Sequence, residues 1–351
     1  MGLCMIVLSA DKLRQLGEKY LTAAGAMKEE AELVSDFLVR ANLAGHDSHG
    51  IIRILRYTNN LLEKRIKPGA RLEVVRETPS SVLLNGNWGF GQVVGIKAMG
   101  IAIEKAERNT IGVSSVFNCN HVGRLADYTL MAAEKNMIGL AFVNASKMVV
   151  PFGGMERMLG TNPISFAAPS AEGRPFVFDM ATSVCAEGKV WVRLQSKQQL
   201  PEGWILDKEG KPSINPSDLY SGGAILPFGG YAAYKGYGLS LMTEILAGIM
   251  SGTGCEYNSE FKGGNGVFFE AINISSFIDI TEFRKQMETI VKAMRNSKKA
   301  PGSNDILVPG DPEERMEKKR LAEGIPLADI TWTEFKILAD KLQIDMQEIT
   351  E

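Results

Sequence analysis

Apolar residues recur at helical spacing through the first seventy positions. In "KEEAELVSDFLVRANLAG" they fall at intervals of three and four, and Gly45 ends this predicted helix. The apolar positions are Leu33, Val34, Phe37, Leu38 and Ala41. An earlier helix is predicted for "DKLRQLGEKYLTAAG", with Ser9 as its N-cap, and a third from about Ser48 to Lys64. Pro68-Gly69 then breaks the pattern.

From residue 72 onward, short apolar runs alternate with longer helical stretches. The predicted strands are "LEVV", "SSVLLNG", "IGVSSVFN", "IGLAFVNAS", "ISFAAPS" and "FVFDMATS". The helices between them are "VVGIKAMGIAIEKAERN" and "LADYTLMAAEKN", and a later one is "LSLMTEILAGIMSG". Residues 195–230 are predicted to form an extended excursion, and 295–315 a long polar segment before a C-terminal helical stretch. This alternation predicts an α/β fold.

Composition narrows the possible partners. The formal charge of −2 on 351 residues argues against nucleic-acid binding, because the chain has no excess of cations for phosphates. No apolar run reaches membrane-spanning length. The four cysteines, Cys4, Cys119, Cys185 and Cys255, are far apart and form no Cys-x-x-Cys pair. We therefore expect a reduced, cytoplasmic protein without a metal site.

Two of the three histidines lie in the hexapeptide "GHDSHG" at 45–50. On a continuous helix capped by Asp47 or Ser48, His49, Arg53 and Tyr57 project within about 80° of each other. They lie opposite an apolar stripe of Ile51, Ile54, Leu55, Leu61 and Leu62. An arginine fork there suits a carboxylate. The spacing leaves open a plain solvated face, because Arg56, Asn60 and Lys64 share it.

His121 in "VFNCNHVGRLADY" follows a predicted strand and precedes a helix, where α/β proteins often carry catalytic groups. It is a candidate acid–base residue, with helix capping or core hydrogen bonding as the alternative.

Two glycine-rich stretches resemble nucleotide loops only in part. "NGNWGFGQVVGIKAMG" has one residue too many before its third glycine to be a dinucleotide fingerprint, and no acid ends the next strand. We interpret it as a tight turn with close helix packing. "LPFGGYAAYKGYGL" could cradle a phosphate with Lys235, or be an ordinary junction between a loop and a helix.

Taken in order, several stretches closely resemble the malate/L-lactate dehydrogenase family, which is unrelated to the Rossmann-type enzymes. The stretches are "GHDSHGIIRILRY", "NCNHVGRLADY", "VVPFGGMERMLGTNPISFAAP", "FDMATSVCAEGKV", "LPEGWILDKEGKP", "ILPFGGYAAYKGYGLSLMTEILAG" and "VPGDPEERMEKKRLAEGIP". The resemblance covers about residues 9 to 326. It implies a homodimer whose subunits have a helical domain (1–71 with 300–351) and a non-Rossmann, mixed-sheet α/β domain (72–299).

The resemblance also implies roles for single residues. His121 matches the family's acid–base histidine, while Ser48, His49, Arg53 and Tyr57 match its substrate-side helix. Thr161 matches a position near substrate and nicotinamide. The matches to cofactor contacts are Ser146, Asp179, Met180, Ala181, Lys235, Gly310 and Asp311.

The expected activity is NAD(P)-dependent interconversion of a 2-hydroxy acid and its 2-oxo acid, of malate, lactate or sulfolactate type. Acids in "PGDPEER" would repel a 2′-phosphate, which favours NAD over NADP. The alternatives are a cyclic-imine reductase or a ureidoglycolate dehydrogenase on the same scaffold, or a relative that only binds nucleotide. Lys189 weighs against imine reduction, since that branch has an acid near this position.

Overall fold

The computed structural model describes residues 6–170, 174–258 and 261–346, so Cys4 lies outside the described residues. The helices are α1 (Ala10–Ala23), α2 (Lys28–Leu43), α3 (Arg53–Leu62), α4 (Gly91–Asn109), α5 (Ala126–Glu134), α6 (Glu187–Gln195), α7 (Pro216–Tyr220), α8 (Tyr234–Thr243), α9 (Ile280–Arg295), α10 (Asp311–Glu323) and α11 (Asp329–Leu342). The strands are β1 (Ile6–Leu8), β2 (Glu73–Glu77), β3 (Ser81–Asn85), β4 (Ile111–Cys119), β5 (Met137–Val143), β6 (Ile164–Ala168), β7 (Phe176–Met180), β8 (Ile205–Leu206), β9 (Pro212–Ser213), β10 (Ala224–Ile225), β11 (Asn265–Asn273) and β12 (Ile325–Leu327). Across these residues, no helix has both the length and the apolarity needed to cross a membrane.

Both ends of the chain share one hydrophobic core. The buried faces of α1, α2, α3 and α11 meet there, and β1 pairs antiparallel with β12. Ser9 caps α1 as predicted, with the Lys12 amide 3.2 Å from its hydroxyl oxygen. Gly45 follows α2 with a φ of 84°. The domain boundaries at residues 72 and 300 remain a prediction.

The third predicted helix is wrong at its start. A short 3₁₀ turn spans Asp47–His49, and α3 begins only at Arg53. The Asp47 carboxylate accepts hydrogen bonds from Arg320, at 2.6 and 2.9 Å, and from Asn42, at 2.6 Å. It therefore pairs with a buried guanidinium instead of capping the helix. The Ser48 side chain is also not a cap, because it bonds to the His49 ring.

A seven-stranded mixed sheet forms the α/β part, in the order β2-β3-β4-β11-β5-β6-β7. Only β3 and β4 run parallel; the other neighbours are antiparallel. The predicted α/β fold with a mixed sheet is therefore confirmed. The central strand β11 was not predicted from the sequence; it pairs with β4 and β5 and places Asn265 opposite Cys119.

Two further segments differ from their prediction. The excursion at 195–230 is folded: β8, β9 and β10 form a small antiparallel sheet with its own apolar cluster. The helix predicted over 239–252 is α8 followed by a π-helical turn at Glu244–Ile249. The polar segment at 295–315 contains the end of α9 and the start of α10.

Candidate active site

A cavity of about 890 Å³ lies where α3 faces the ends of β4 and β5. Five residues singled out from the sequence line it: His49, Arg53, His121, Ser146 and Thr161. Two other predicted residues lie just behind its wall. Ser48 is buried, and Tyr57 is only 2% exposed, so its hydroxyl contacts His121 and not the cavity.

The loop before α4 holds His121 in place. The Asn120 side chain donates hydrogen bonds to the carbonyl oxygens of Trp88, at 2.8 Å, and Gly89, at 3.0 Å. Gly91 packs directly on the main chain of Asn120 and His121, where any Cβ would overlap the His121 carbonyl oxygen. The interpretation of this glycine-rich stretch as a tight turn with close packing is confirmed.

His121 belongs to a buried chain of polar groups. Its Nδ1 lies 2.6 Å from the Tyr57 hydroxyl, which in turn lies 2.9 Å from Nε2 of Gln92. Burial raises the pKa of Tyr57, so the phenol stays protonated. The His49 and His121 rings stack with centroids 5.7 Å apart.

A second set of contacts fixes Arg53. Its Nε donates a 2.6 Å hydrogen bond to the Ser48 carbonyl oxygen, while the Ser48 hydroxyl lies 3.0 Å from His49 Nδ1. Gly188, in the first turn of α6, packs against this pair: a Cβ there would lie 2.5 Å from Ser48 Cβ and 3.2 Å from Arg53 Nη2. The guanidinium is therefore held from two sides at the cavity wall.

The site combines neutral imidazoles with a fixed cation. Burial, and then the charge of Arg53, lower the pKa of His49 to about 3 and that of His121 well below its usual value. Within the described ranges, no carboxylate lies within ion-pair distance of Arg53. A guanidinium in this position can bind a carboxylate, and an imidazole beside it can exchange a proton with a bound molecule.

The mouth of the cavity is strongly basic. Among its lining residues Glu187 is the one acid, against five cationic side chains besides Arg53. These are Arg56, Lys64, Arg65, Lys67 and Lys262. Arg56 and Lys64 were suspected of forming a solvated face, and they do reach solvent, but at the rim of the site.

Some predicted cofactor residues lie just beyond the cavity. The Thr182 amide donates to the Thr161 carbonyl oxygen at 2.9 Å, which joins the Asp179–Ala181 run to the cavity wall. Gly236, next to Lys235, packs against the Thr182 carbonyl oxygen. Lys235 itself is exposed, with its Nζ 5.9 Å from the Tyr234 ring centroid.

The Asp179 side chain has a structural task. Its carboxylate accepts a 2.8 Å hydrogen bond from the Ala126 amide at the start of α5. Burial raises its pKa, and the nearby Arg124 opposes this effect. The Asp179 carboxylate is therefore engaged with the start of α5.

Gly310 and Asp311 line a separate cavity of about 280 Å³ beside β7 and α9. Gly310 has a φ of 100°, and a Cβ there would come within 3.3 Å of Val177 Cγ1. Asp311 binds Arg295, at 2.5 and 3.2 Å, and accepts the Val308 amide at 3.0 Å. The structure does not bring these two residues into the main cavity.

Sequence reasoning missed several supporting residues. Gln92, Asn120 and Asn162 all lie in motifs quoted from the sequence, but none of the three was singled out. The Asn162 side chain accepts the Ala145 amide at 3.0 Å and donates to Glu244 at 2.7 Å, so it ties the segment before Ser146 to the helix after Lys235. Asn120 and Asn162 each stand next to a candidate residue, and this is the one signal in the sequence that could have pointed to them.

Comparisons with known proteins show the family of the chain. The family model described as malate/L-lactate dehydrogenase matches residues 8–336. A malate dehydrogenase of Pyrococcus abyssi is 41% identical over 347 residues, covering 97% of this chain and 96% of the relative. A malate/(S)-sulfolactate dehydrogenase of Methanothermus fervidus is 38% identical, with 97% and 99% covered. The crystal structure of malate dehydrogenase from Entamoeba histolytica superposes with a TM-score of 0.92 at 33% identity, covering 97% of this chain and 99% of that one. The chain thus belongs to the malate/L-lactate dehydrogenase family.

Proposed function

We propose that this dehydrogenase interconverts malate and oxaloacetate, or an equivalent pair with a second acidic group, and that it uses NAD. The observation that carries the proposal is the meeting of Arg53 and His121 in one cavity with a basic mouth. Membership of the family makes the chain an oxidoreductase of 2-hydroxy acids. The second acidic group is supported by the five rim cations and by the names of the relatives.

Arg53, His121 and His49 have separate tasks at the cavity in this mechanism, and Tyr57 has one behind it. Arg53 binds the substrate carboxylate through its guanidinium fork and so fixes which face of the carbon is attacked. His121 gives a proton to the substrate oxygen during reduction and takes it back during oxidation. His49, held by the Ser48 hydroxyl, orients the substrate end that faces it. Tyr57 holds His121 from behind, which replaces its expected direct contact with substrate.

The residues present fit a dinucleotide. The exposed Ser146, the Asp179–Ala181 main chain and the exposed Lys235 would hold it near the reacting cavity, and Gly310 leaves a hollow that a Cβ would fill. The chemistry that a nicotinamide cofactor supplies when bound is hydride transfer with the substrate carbon. Thr161 lines the cavity between these residues and the substrate side.

NAD is proposed on the balance of charge around Gly310. The smaller cavity has three cations, Arg174, Lys292 and Arg295, and three acids, Glu288, Asp311 and Glu314. Because Arg295 pairs with Asp311, this acid repels a 2′-phosphate less than the sequence alone indicated. The lining still has no surplus of positive charge for the extra phosphate of NADP.

A homodimer is proposed on an exposed apolar surface. Leu241, Ile245 and Ile249 follow each other at helical spacing along α8 and the π-helical turn, and each is more than a third exposed. Tyr231, almost fully exposed, precedes them. Surfaces of this kind on soluble enzymes are usually covered by another subunit. A cytoplasmic location is proposed because Cys119, Cys185 and Cys255 are free thiols.

The test is absorbance of the reduced nicotinamide with NADH and NADPH, each tried against oxaloacetate, sulfopyruvate, pyruvate and a cyclic imine. We expect the fastest oxidation with NADH and oxaloacetate. Faster turnover of the imine, or of ureidoglycolate in the oxidative direction, would replace the proposed substrate. Tight NADH binding without turnover of any of them would favour a nucleotide-binding relative.

A further inference from the structure

The first turn of α4 supports His121 from behind the cavity. Gly91 packs on the His121 main chain, and the next residue, Gln92, is 1% exposed and bonds to the Tyr57 hydroxyl. Neither Gln92 nor Tyr57 lines the cavity. Gln92 therefore has no direct access to a substrate, yet it ends a chain of two hydrogen bonds that begins on the His121 ring.

The Tyr57 hydroxyl has one proton and two neighbours. When Gln92 presents an N–H to it, as in the structure, the hydroxyl proton has one acceptor left among the described residues, Nδ1 of His121. A neutral His121 ring then carries its own proton on Nε2. No described residue hydrogen-bonds that nitrogen, so it is free to meet a substrate.

The opposite orientation of the amide gives the opposite ring. If the Gln92 carbonyl faced Tyr57, the hydroxyl would donate to it and would accept a proton from Nδ1, which leaves Nε2 bare. In the structure the Gln92 carbonyl oxygen is buried without a partner. The Gln92 Nε2 atom is the one that faces the Tyr57 hydroxyl, at 2.9 Å, so the amide presents its N–H there.

We propose that Gln92 is a positioning residue that acts through Tyr57 to place the His121 proton on Nε2. The proposal rests on the acid–base function of His121. A ring with Nε2–H can donate a hydrogen bond to the keto oxygen of a 2-oxo acid.

The test reads the ring protons directly. With only three histidines in the chain, ¹³C,¹⁵N-histidine gives few ring signals in solid-state spectra of the whole protein near pH 7.5, and His121→Asn identifies those of His121. We expect Nε2–H in the wild type. Gln92→Glu, whose carboxylate only accepts, should shift His121 towards Nδ1–H, and Gln92→Leu should give a mixture. Nδ1–H in the wild type, or the same ring form in all three proteins, would overturn the proposal.

Kinetics separate positioning from a merely structural role. Gln92→Leu should lower kcat about tenfold or more, with little change in the KM for oxaloacetate or the Kd for NADH. Gln286→Leu, on the exposed face of α9, is the matched control and should leave kcat unchanged. Lower thermal stability of Gln92→Leu with an unchanged kcat would also overturn the proposal. Full turnover by His121→Asn would instead refute the acid–base function and leave the ring measurement intact.

Discussion

Replacing Arg53 with lysine should weaken substrate binding far more than it slows the chemistry. The guanidinium is fixed by a 2.6 Å hydrogen bond from Nε to the Ser48 carbonyl oxygen, and this leaves its Nη atoms for the substrate carboxylate. Lysine keeps the charge, but one ammonium group cannot hold the carbonyl and form a two-point contact as well.

The size of the effect follows from the hydrogen bond that lysine cannot form. A hydrogen bond that involves a charged group contributes roughly 1.5–3 kcal/mol. Removing one such bond corresponds to roughly a ten- to 150-fold rise in the dissociation constant. Because the carboxylate is bound both before and during the reaction, the change should be seen mainly as a higher KM for oxaloacetate, with a smaller fall in kcat.

Steady-state kinetics at saturating NADH provide the assay, and NADH fluorescence gives the cofactor Kd. Arg76→Lys, on the exposed edge strand β2, is the matched control and should behave like the wild type. If Arg53→Lys changed the KM for oxaloacetate by less than about threefold, the assignment of Arg53 as the carboxylate clamp would be refuted.

Four further predictions concern pH, salt and packing. Since burial lowers the pKa of His121, it should stay neutral as the pH falls through 6.5, so kcat/KM for malate oxidation should lose activity only below that pH; a midpoint at 6.5 or above would contradict this. The unfolded chain takes up protons at His49 and His121 below about pH 6.5 and the folded chain does not, so chemical denaturation should show stability falling there. Salt should lower kcat/KM more steeply for oxaloacetate than for pyruvate, because the basic mouth attracts a dianion more strongly; equal slopes would argue against its role. Gly188→Ala should cost about 1–3 kcal/mol of stability and raise the KM for oxaloacetate, whereas Gly100→Ala, with no atom within 4 Å of the added Cβ, should do neither. Equal thermal unfolding and KM values in the two variants would show that α6 does not hold Arg53.

Local patterns predicted most of the elements but not the sheet's centre. The helix α4 and the strands β4 and β5 have apolar spacing that is visible in a short window. Strand β11 follows a glycine-rich stretch and owes its place to pairing with two strands more than 120 residues upstream, and no local pattern encodes that pairing. The break between His49 and Arg53 was missed for a similar reason, since Asp47 is bound by Arg320 from the far end of the chain.

The sequence indicated which residues gather at the candidate site, but not which of them face the cavity and which lie behind its wall. Helical spacing grouped His49, Arg53 and Tyr57, and the structure brings them together although the helix is interrupted: His49 and Tyr57 contact His121, and Arg53 lines the same cavity. Which of them faces the cavity depends on partners elsewhere in the chain: Tyr57 is turned inward by Gln92 and His121. The family resemblance supplied the expected roles, and tertiary contacts decide which residues face the cavity.

The most direct test of the central claim is single-turnover oxidation of NADH by oxaloacetate in His121→Asn and in the wild type. Binding of NADH, read from its fluorescence, should be nearly equal in the two proteins. The hydride-transfer rate should fall about a hundredfold or more in the variant, because the asparagine side chain cannot exchange a proton with the substrate oxygen. A rate within about threefold of the wild type would contradict the account and would remove His121 from the mechanism.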